Sequence, residues 1–217
     1  LKYHNVLVDY NNISKTATTP FSYNMPEVIY QSTQMYIYAA LAGYNNQPAI
    51  EVNPTLMQLY QPNDLRKPIY FLLNAQGRYN VKRGYVGGGS YAFTGLACDE
   101  VYLIKAECLA RRGQTEQAMQ WLNRLLINRF ETGRFIPLVA TTPAEALAMV
   151  LEERRKELVW RGLRWSDLKR LNREGYQITI SRQLGANTYT LPPNDPRYVF
   201  PIPDNEIVMS GLVQNQR

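Results

Sequence analysis

The chain of 217 residues is 45% hydrophobic and 19% charged, which supplies enough apolar material for a substantial core. No apolar run approaches the roughly 18 residues that cross a bilayer, so any membrane attachment has to come from outside this chain. The net charge of +6 does not point to nucleic acid, because basic residues are interleaved with acids and form no long like-charged block.

Residues 1–97 read as loops with short helices and strands. Val28, Ile29 and Tyr30, after Pro26, form a β-prone run. Met57, Leu59 and Tyr60 fit a helical turn or two after Pro54. Gly84, Gly87, Gly88, Gly89 and Gly95 crowd residues 81–95 and predict a mobile surface loop. That loop has neither the lysine nor the strand-to-helix setting of a phosphate-binding loop.

From Asp99 the pattern turns helical. Val101, Tyr102, Ala106, Leu109 and Ala110 form one stripe that ends at Gly113. Ala118, Trp121, Leu122, Leu125 and Leu126 form a second that begins near Thr115. Together they predict an αα-hairpin of the tetratricopeptide type, and one such unit cannot bury both its faces. Cys98 and Cys108 on the first helix would stand about 15 Å apart along its axis. A disulfide spans roughly 7 Å, so both are expected to be free, buried thiols.

Thr142, Pro143 and Glu145 supply a capping box and a first-turn proline for a helix reaching about Arg161. Leu147, Val150, Leu151, Leu158 and Val159 would form its buried stripe, with the charges of residues 152–157 on the opposite face and Glu152 placed to pair with Lys156. Gly162 is expected to end this helix in the left-handed conformation. Trp165, Leu168 and Leu171 begin a shorter stripe, and Trp121 and Trp165 read as core. After Gly175, prolines at 192, 193, 196, 201 and 203 predict extended and turn structure. The fold class is mainly α, with a tyrosine-rich, loop-rich part over residues 1–97 and a helical part with an extended tail over residues 98–217, within one continuous domain.

Glu153, Arg154, Arg155, Glu157, Leu158, Gly162, Arg164, Trp165, Asp167, Leu168 and Arg170 together resemble the hallmark of the SusD/RagB family. Residues 26–30 (PEVIY), 56–66 (LMQLYQPNDLR), 101–107 (VYLIKAE) and 200–207 (FPIPDNEI), with Gln214 and Asn215, are similar to further segments of that family in the same order. The resemblance implies a SusD-like α/α superhelix, of which this chain is the C-terminal portion. The family's signal peptide, lipidated cysteine and N-terminal helical half do not precede Leu1. The resemblance also implies a non-catalytic lipoprotein on the extracellular face of the outer membrane. Such a protein captures oligosaccharides and delivers them to a TonB-dependent transporter of the SusC kind, attached to the membrane only through a lipid anchor outside this chain. The RagB branch implies peptides in place of sugars.

Catalysis finds little support in the residues. Glu152, Glu153 and Glu157 sit among arginines, which favours salt bridges over a glycosidase acid pair. His4 has no Ser or Cys motif around it, and Asp64 lacks the partners of a calcium loop. No catalytic residue, metal ligand or cofactor is therefore assigned.

Tyrosine is the better lead, since 12 of the 16 tyrosines fall before residue 92. Tyr36, Tyr38, Tyr44, Asn45 and Asn46 follow the PEVIY run, where the family places part of its ligand-binding face. Aromatic rings stack on the C–H faces of sugars and amides bond their hydroxyls. Tyr85, Tyr91 and Phe93 on the glycine-rich loop would add a movable wall. The competing reading of each ring is packing at the edge of the core. The competing reading of the chain is a tetratricopeptide-like scaffold for a partner protein.

Overall fold

The apolar stripes after residue 97 form the expected pair of helices. Ala97 is extended, and the chain then enters α3 (Cys98–Arg111), whose first turn carries Asp99 and Glu100 against the helix dipole. Gly113, at φ 76°, turns the chain into α4 (Thr115–Leu126). Leu103, Ala106 and Ala110 of α3 and Ala118, Leu122 and Leu125 of α4 are buried, so small alanines let the two helices pack closely as an αα-hairpin. Next in the helical core is α5 (Pro143–Glu157), which packs on α3 as well. Its N-cap Thr142 accepts from the Glu145 backbone N–H at 3.1 Å. The Glu145 carboxylate reaches Thr141 rather than Thr142, so the capping box closes one residue early.

The structure is a computed structural model that describes residues 1–34, 51–88 and 91–216. Those residues form two compact units, Leu1–Gly162 and Leu163–Arg217. The change of composition near residue 97 falls inside the first unit. Among the described residues no helix is long and apolar enough to cross a membrane.

In the first unit, β1 (Val28–Tyr30) pairs antiparallel with β4 (Leu96–Ala97). Two short helices, α1 (Pro54–Met57) and α2 (Arg66–Tyr70), precede the hairpin of β2 (Phe71–Leu73) and β3 (Tyr79–Val81). The Asn53 side chain caps α1 by accepting from the Thr55 N–H. Tyr10, Phe21, Leu65, Ile69, Tyr85, Val86 and Phe93 share one core cluster, and Val52, Met57, Tyr60, Phe71 and Val81 another.

The glycine-rich stretch is not the exposed loop that its composition suggests. Tyr85, Val86, Ala92 and Phe93 are buried and anchor it to the core. Gly95 serves close approach: a Cβ there would stand 2.0 Å from the Tyr30 carbonyl oxygen and 2.8 Å from the Ser32 nitrogen. Gly95→Ala should therefore force β1 and β4 apart and lower stability by about 1–3 kcal/mol. A urea midpoint equal to that of the parent chain would contradict this.

Three other expectations change. Helix α5 stops at Glu157, not near Arg161, and Trp160 takes the first left-handed turn at φ 59°, before Gly162 at 75°. The charged run is not a solvated face: Glu153, Arg154, Lys156 and Glu157 are buried, and Lys156 bonds Glu153 instead of Glu152. Of the two free thiols, Cys98 is buried and Cys108 exposed.

The second unit is built on α6 (Arg164–Arg173), which buries Leu168 and Leu171. The five-residue strands β5 (Ile180–Leu184) and β6 (Asn187–Leu191) form a hairpin in register Arg182 with Tyr189. The tail is not wholly extended, since α7 (Asp204–Ser210) follows the last proline. Pro203 occupies the N-cap, where no N–H is needed, Asp204 and Glu206 suit the helix N-terminus, and Gly211 closes it at φ 69°.

Candidate functional site

Burying a guanidinium is costly unless its N–H groups find acceptors. Arg66 is fully buried, and its Nε and Nη2 bond Asp64 at 2.9 and 2.7 Å. Its Nη2 also reaches Glu153 at 2.7 Å, and its Nη1 reaches Glu157 at 3.1 Å. Arg129, equally buried, donates from Nε to Glu157 at 2.6 Å, from Nη2 to Glu27 at 2.6 Å and from Nη1 to the Val8 carbonyl at 2.7 Å. Its guanidinium lies 4.0 Å from the centre of the Tyr10 ring. Lys156 bonds Glu153 at 2.7 Å and stands 3.5 Å from Asp64. Glu157 thus bridges two arginines. Burial works to raise its pKa, but Arg129 and Arg66 outweigh burial and hold it below the usual carboxylate range.

The residues in this network come from three of the segments that carry the family resemblance. Glu27 belongs to PEVIY, Asp64 and Arg66 to LMQLYQPNDLR, and Glu153, Lys156 and Glu157 to the long charged run. Tyr60 joins the last two, donating its hydroxyl to the Lys156 carbonyl at 2.7 Å. The shared motif residues in the first unit therefore act as an internal brace. Asp99 and Arg129 belong to the same network and were not singled out from sequence. The one sign of Arg129 is a charge at the end of the apolar run LLINRF.

Carboxylate oxygens of Glu27, Asp99 and Glu157 lie within 4.8 Å of one another, a grouping that would also suit a cation. Here the guanidinium groups supply the positive charge, Arg129 to Glu27 and Glu157 and Arg161 to Asp99.

Beside the brace runs a narrow cleft, bordered by Tyr85, Phe93, Lys82, Gly84, Trp160 and Arg161. Arg161 donates from Nη2 to Asp99 at 2.5 Å and lies 4.6 and 4.7 Å from the ring centres of Tyr85 and Phe93. The Tyr85 hydroxyl is 3.0 Å from that of Tyr10, which in turn is 2.8 Å from that of Tyr70. Burial pushes the Tyr85 and Tyr70 hydroxyls well above the usual range, so both stay neutral.

Tyr85 and Phe93 are therefore fixed rings of the core and not parts of a moving wall, although both border the cleft. Tyr91 is 39% exposed. Tyr36, Tyr38, Tyr44, Asn45 and Asn46 lie outside the described residues.

In the second unit, Trp165 packs against Tyr198 and stacks on Phe200 with ring centres 4.8 and 5.6 Å away. Gln214 clamps the FPIP segment, its Oε1 accepting from the Ile202 N–H and its Nε2 donating to the Ile202 carbonyl, both at 2.9 Å. Asn215 donates to the Phe200 carbonyl at 2.7 Å. This motif, too, ties backbone to backbone.

The sequence model of the SusD family matches residues 84–217. No curated protein matches the chain. Solved structures with a similar fold include a SusD-like carbohydrate binding protein from Bacteroides vulgatus, at 20% identity and a TM-score of 0.64 over 97% of this chain and 52% of that one. A SusD superfamily protein from Bacteroides thetaiotaomicron has 21% identity and a TM-score of 0.67 over 99% and 53%. Another SusD superfamily protein from Bacteroides vulgatus has 22% identity and a TM-score of 0.63 over 99% and 51%. The chain thus spans about half the length of these solved structures. With the family model covering more than half of its residues, and a mainly helical fold shared with those structures, the chain belongs to the SusD family.

Proposed function

We propose that this chain is part of a nutrient-binding protein that holds an oligosaccharide at the outer face of the outer membrane and delivers it to a TonB-dependent transporter, without making or breaking a bond. Membership of the SusD family, together with a fold similar to one described as carbohydrate binding, carries the reading. The chemistry of the first unit supports it. Glu153 and Glu157, the carboxylates most open to a catalytic interpretation, are committed to Arg66, Lys156 and Arg129. Binding is assigned to Tyr36, Tyr38, Tyr44, Asn45, Asn46, Tyr85 and Tyr91, rings and amides being the groups that stack on sugars and bond their hydroxyls.

Titration calorimetry against a panel of oligosaccharides and peptides tests this. The expected result is saturable sugar binding with no product released, weakened about tenfold or more when Tyr36, Tyr38 and Tyr44 are all replaced by alanine. Helical content should not change in that variant. Unaltered affinity would remove those tyrosines from the site. Binding of peptides that sugars do not displace would replace the sugar reading with a peptide one.

A further inference from the structure

Arg161 stands out in the cleft because it is not fully used. Its side chain is only 10% exposed, its Nη2 is taken by Asp99, and its guanidinium lies against Tyr85 and Phe93. Its Nη1 is buried and has no hydrogen-bond partner among the described residues. Leaving a charged donor of this kind without an acceptor is costly, and structures keep few such groups. The backbone that presents it is unusual as well: Trp160 before it and Gly162 after it both adopt positive φ, 59° and 75°, and for a tryptophan that conformation is strained.

The cations bordering the cleft are Lys82, Arg83 and Arg161, the last of them shared with Asp99. Lys82 and Arg161 border it together with Glu157, whose oxygens are already held by Arg129 and Arg66. Among the described residues Lys82 donates to the carbonyls of Lys15 and Pro68, which satisfy two of its three N–H groups without cancelling its charge. The cleft is partly open and holds about 40 Å³. A water-sized group needs roughly 10–15 Å³ on this measure, so the cavity suits three heavy atoms. That is the size of a carboxylate. A sulfate is larger, and a sugar ring would have to remain at the mouth beside Trp160.

We propose that this cavity receives the carboxylate of a uronic acid unit, accepted by Arg161 Nη1, so that the captured glycan is an acidic one. The proposal rests on the sugar-binding reading above and names its substrate class. The carboxylate enters the cleft beside the edge-to-face pair of Tyr85 and Phe93, and one oxygen accepts from Arg161 Nη1 in a charge-assisted hydrogen bond.

Titration of the chain with trigalacturonic acid and with the neutral galactose trisaccharide tests it. The acidic sugar should bind about tenfold tighter or better. Two variants should abolish that preference. Gly84→Asp places a negative charge on the rim, where a new Cβ meets nothing within 4 Å, so the thermal midpoint should hold. Arg161→Lys retains a charge for Asp99 but loses the rigid guanidinium fork that carries Nη1.

Equal affinity for the two sugars would overturn the proposal, as would a preference that survives both variants. A third arm uses acetate, followed through the Trp160 indole N–H signal, which Trp160→Phe identifies. If neither trisaccharide binds but acetate shifts that signal in the parent chain and not in Gly84→Asp, the carboxylate cavity stands and the sugar reading falls. If acetate has no effect in the parent chain, the cavity proposal falls on its own.

Discussion

Replacing Arg129 by methionine is expected to destabilise the chain by about 3–5 kcal/mol, the cost of breaking a buried ion pair by removing one partner. Methionine fills much of the volume, but Glu27 and Glu157 lose their 2.6 Å partner and the Val8 carbonyl loses its donor. The exposed pair Lys15 with Glu131 is the control. Its side chains are 48% and 41% exposed, and Lys15→Ala should cost at most about 1 kcal/mol. Urea denaturation of the three proteins, with the slope compared as well as the midpoint, reads both effects. Adding Glu27→Gln to Arg129→Met should recover more stability than Glu27→Gln alone adds to the parent chain at the same pH, because one of the stranded carboxylates disappears. A double variant as unstable as the sum of the singles would show that Arg129 acts through packing on Tyr10 and not through its charge.

Local periodicity revealed the helices and missed the brace. Apolar residues at helical spacing marked α3 and α4, because those helices bury a stripe and expose the rest. The same rule failed on the charged run at the end of α5, where Glu153, Lys156 and Glu157 point inward. Their burial depends on partners far away in the chain: Glu157 and Arg66 are separated by 91 residues, and Glu27 and Arg129 by 102. No window of neighbouring residues contains that information. The family resemblance did identify Glu27, Asp64, Arg66, Glu153 and Glu157, but as a signature with no stated purpose.

The glycine-rich stretch misled for a related reason. Glycine content alone predicts freedom, whereas Tyr85, Val86 and Phe93 pin this segment and Gly95 lets two backbones approach. Helix α7 was hidden by the prolines before it, since proline breaks a helix in its interior but is tolerated at its start. Of the candidate site residues, Tyr85 proved to be a core ring on the border of the cleft, while Tyr91 remains at the surface. Arg161 carries no mark in the sequence, because a donor without an acceptor beside a cavity exists only in the folded chain.

The composition of the brace carries a second large effect, on pH dependence. Its buried carboxylates are Glu27, Asp64, Asp99, Glu153 and Glu157, and its cations Arg66, Arg129, Lys156 and Arg161, which leaves one negative charge in excess. Burial raises Asp99 as well as Glu27, and the excess proton is shared between the two, in part by Glu27. Burial pushes the pKa of Glu27 up from 4.5 to about 7; Arg129 opposes this, and the nearby Asp99 and Glu157 reinforce it. Because the folded value exceeds the unfolded one, the folded chain binds the extra proton between these limits. Stability from this group is fully present below about pH 4.5 and is lost as pH rises through about 7. Asp64 and Glu157, whose values are lowered, act in the opposite sense and lose their contribution as the medium becomes more acidic than their folded values. The chain should therefore be most stable in mild acid, and the loss from there to above neutrality should be on the order of 3 kcal/mol. Glu27→Gln removes the titrating group and keeps an oxygen to accept from Arg129. In that variant the thermal midpoint should change little between pH 5 and pH 8, and at pH 8 it should exceed that of the parent chain. A parent midpoint that rises over the same interval, or a variant that keeps the full slope, would place the excess proton elsewhere.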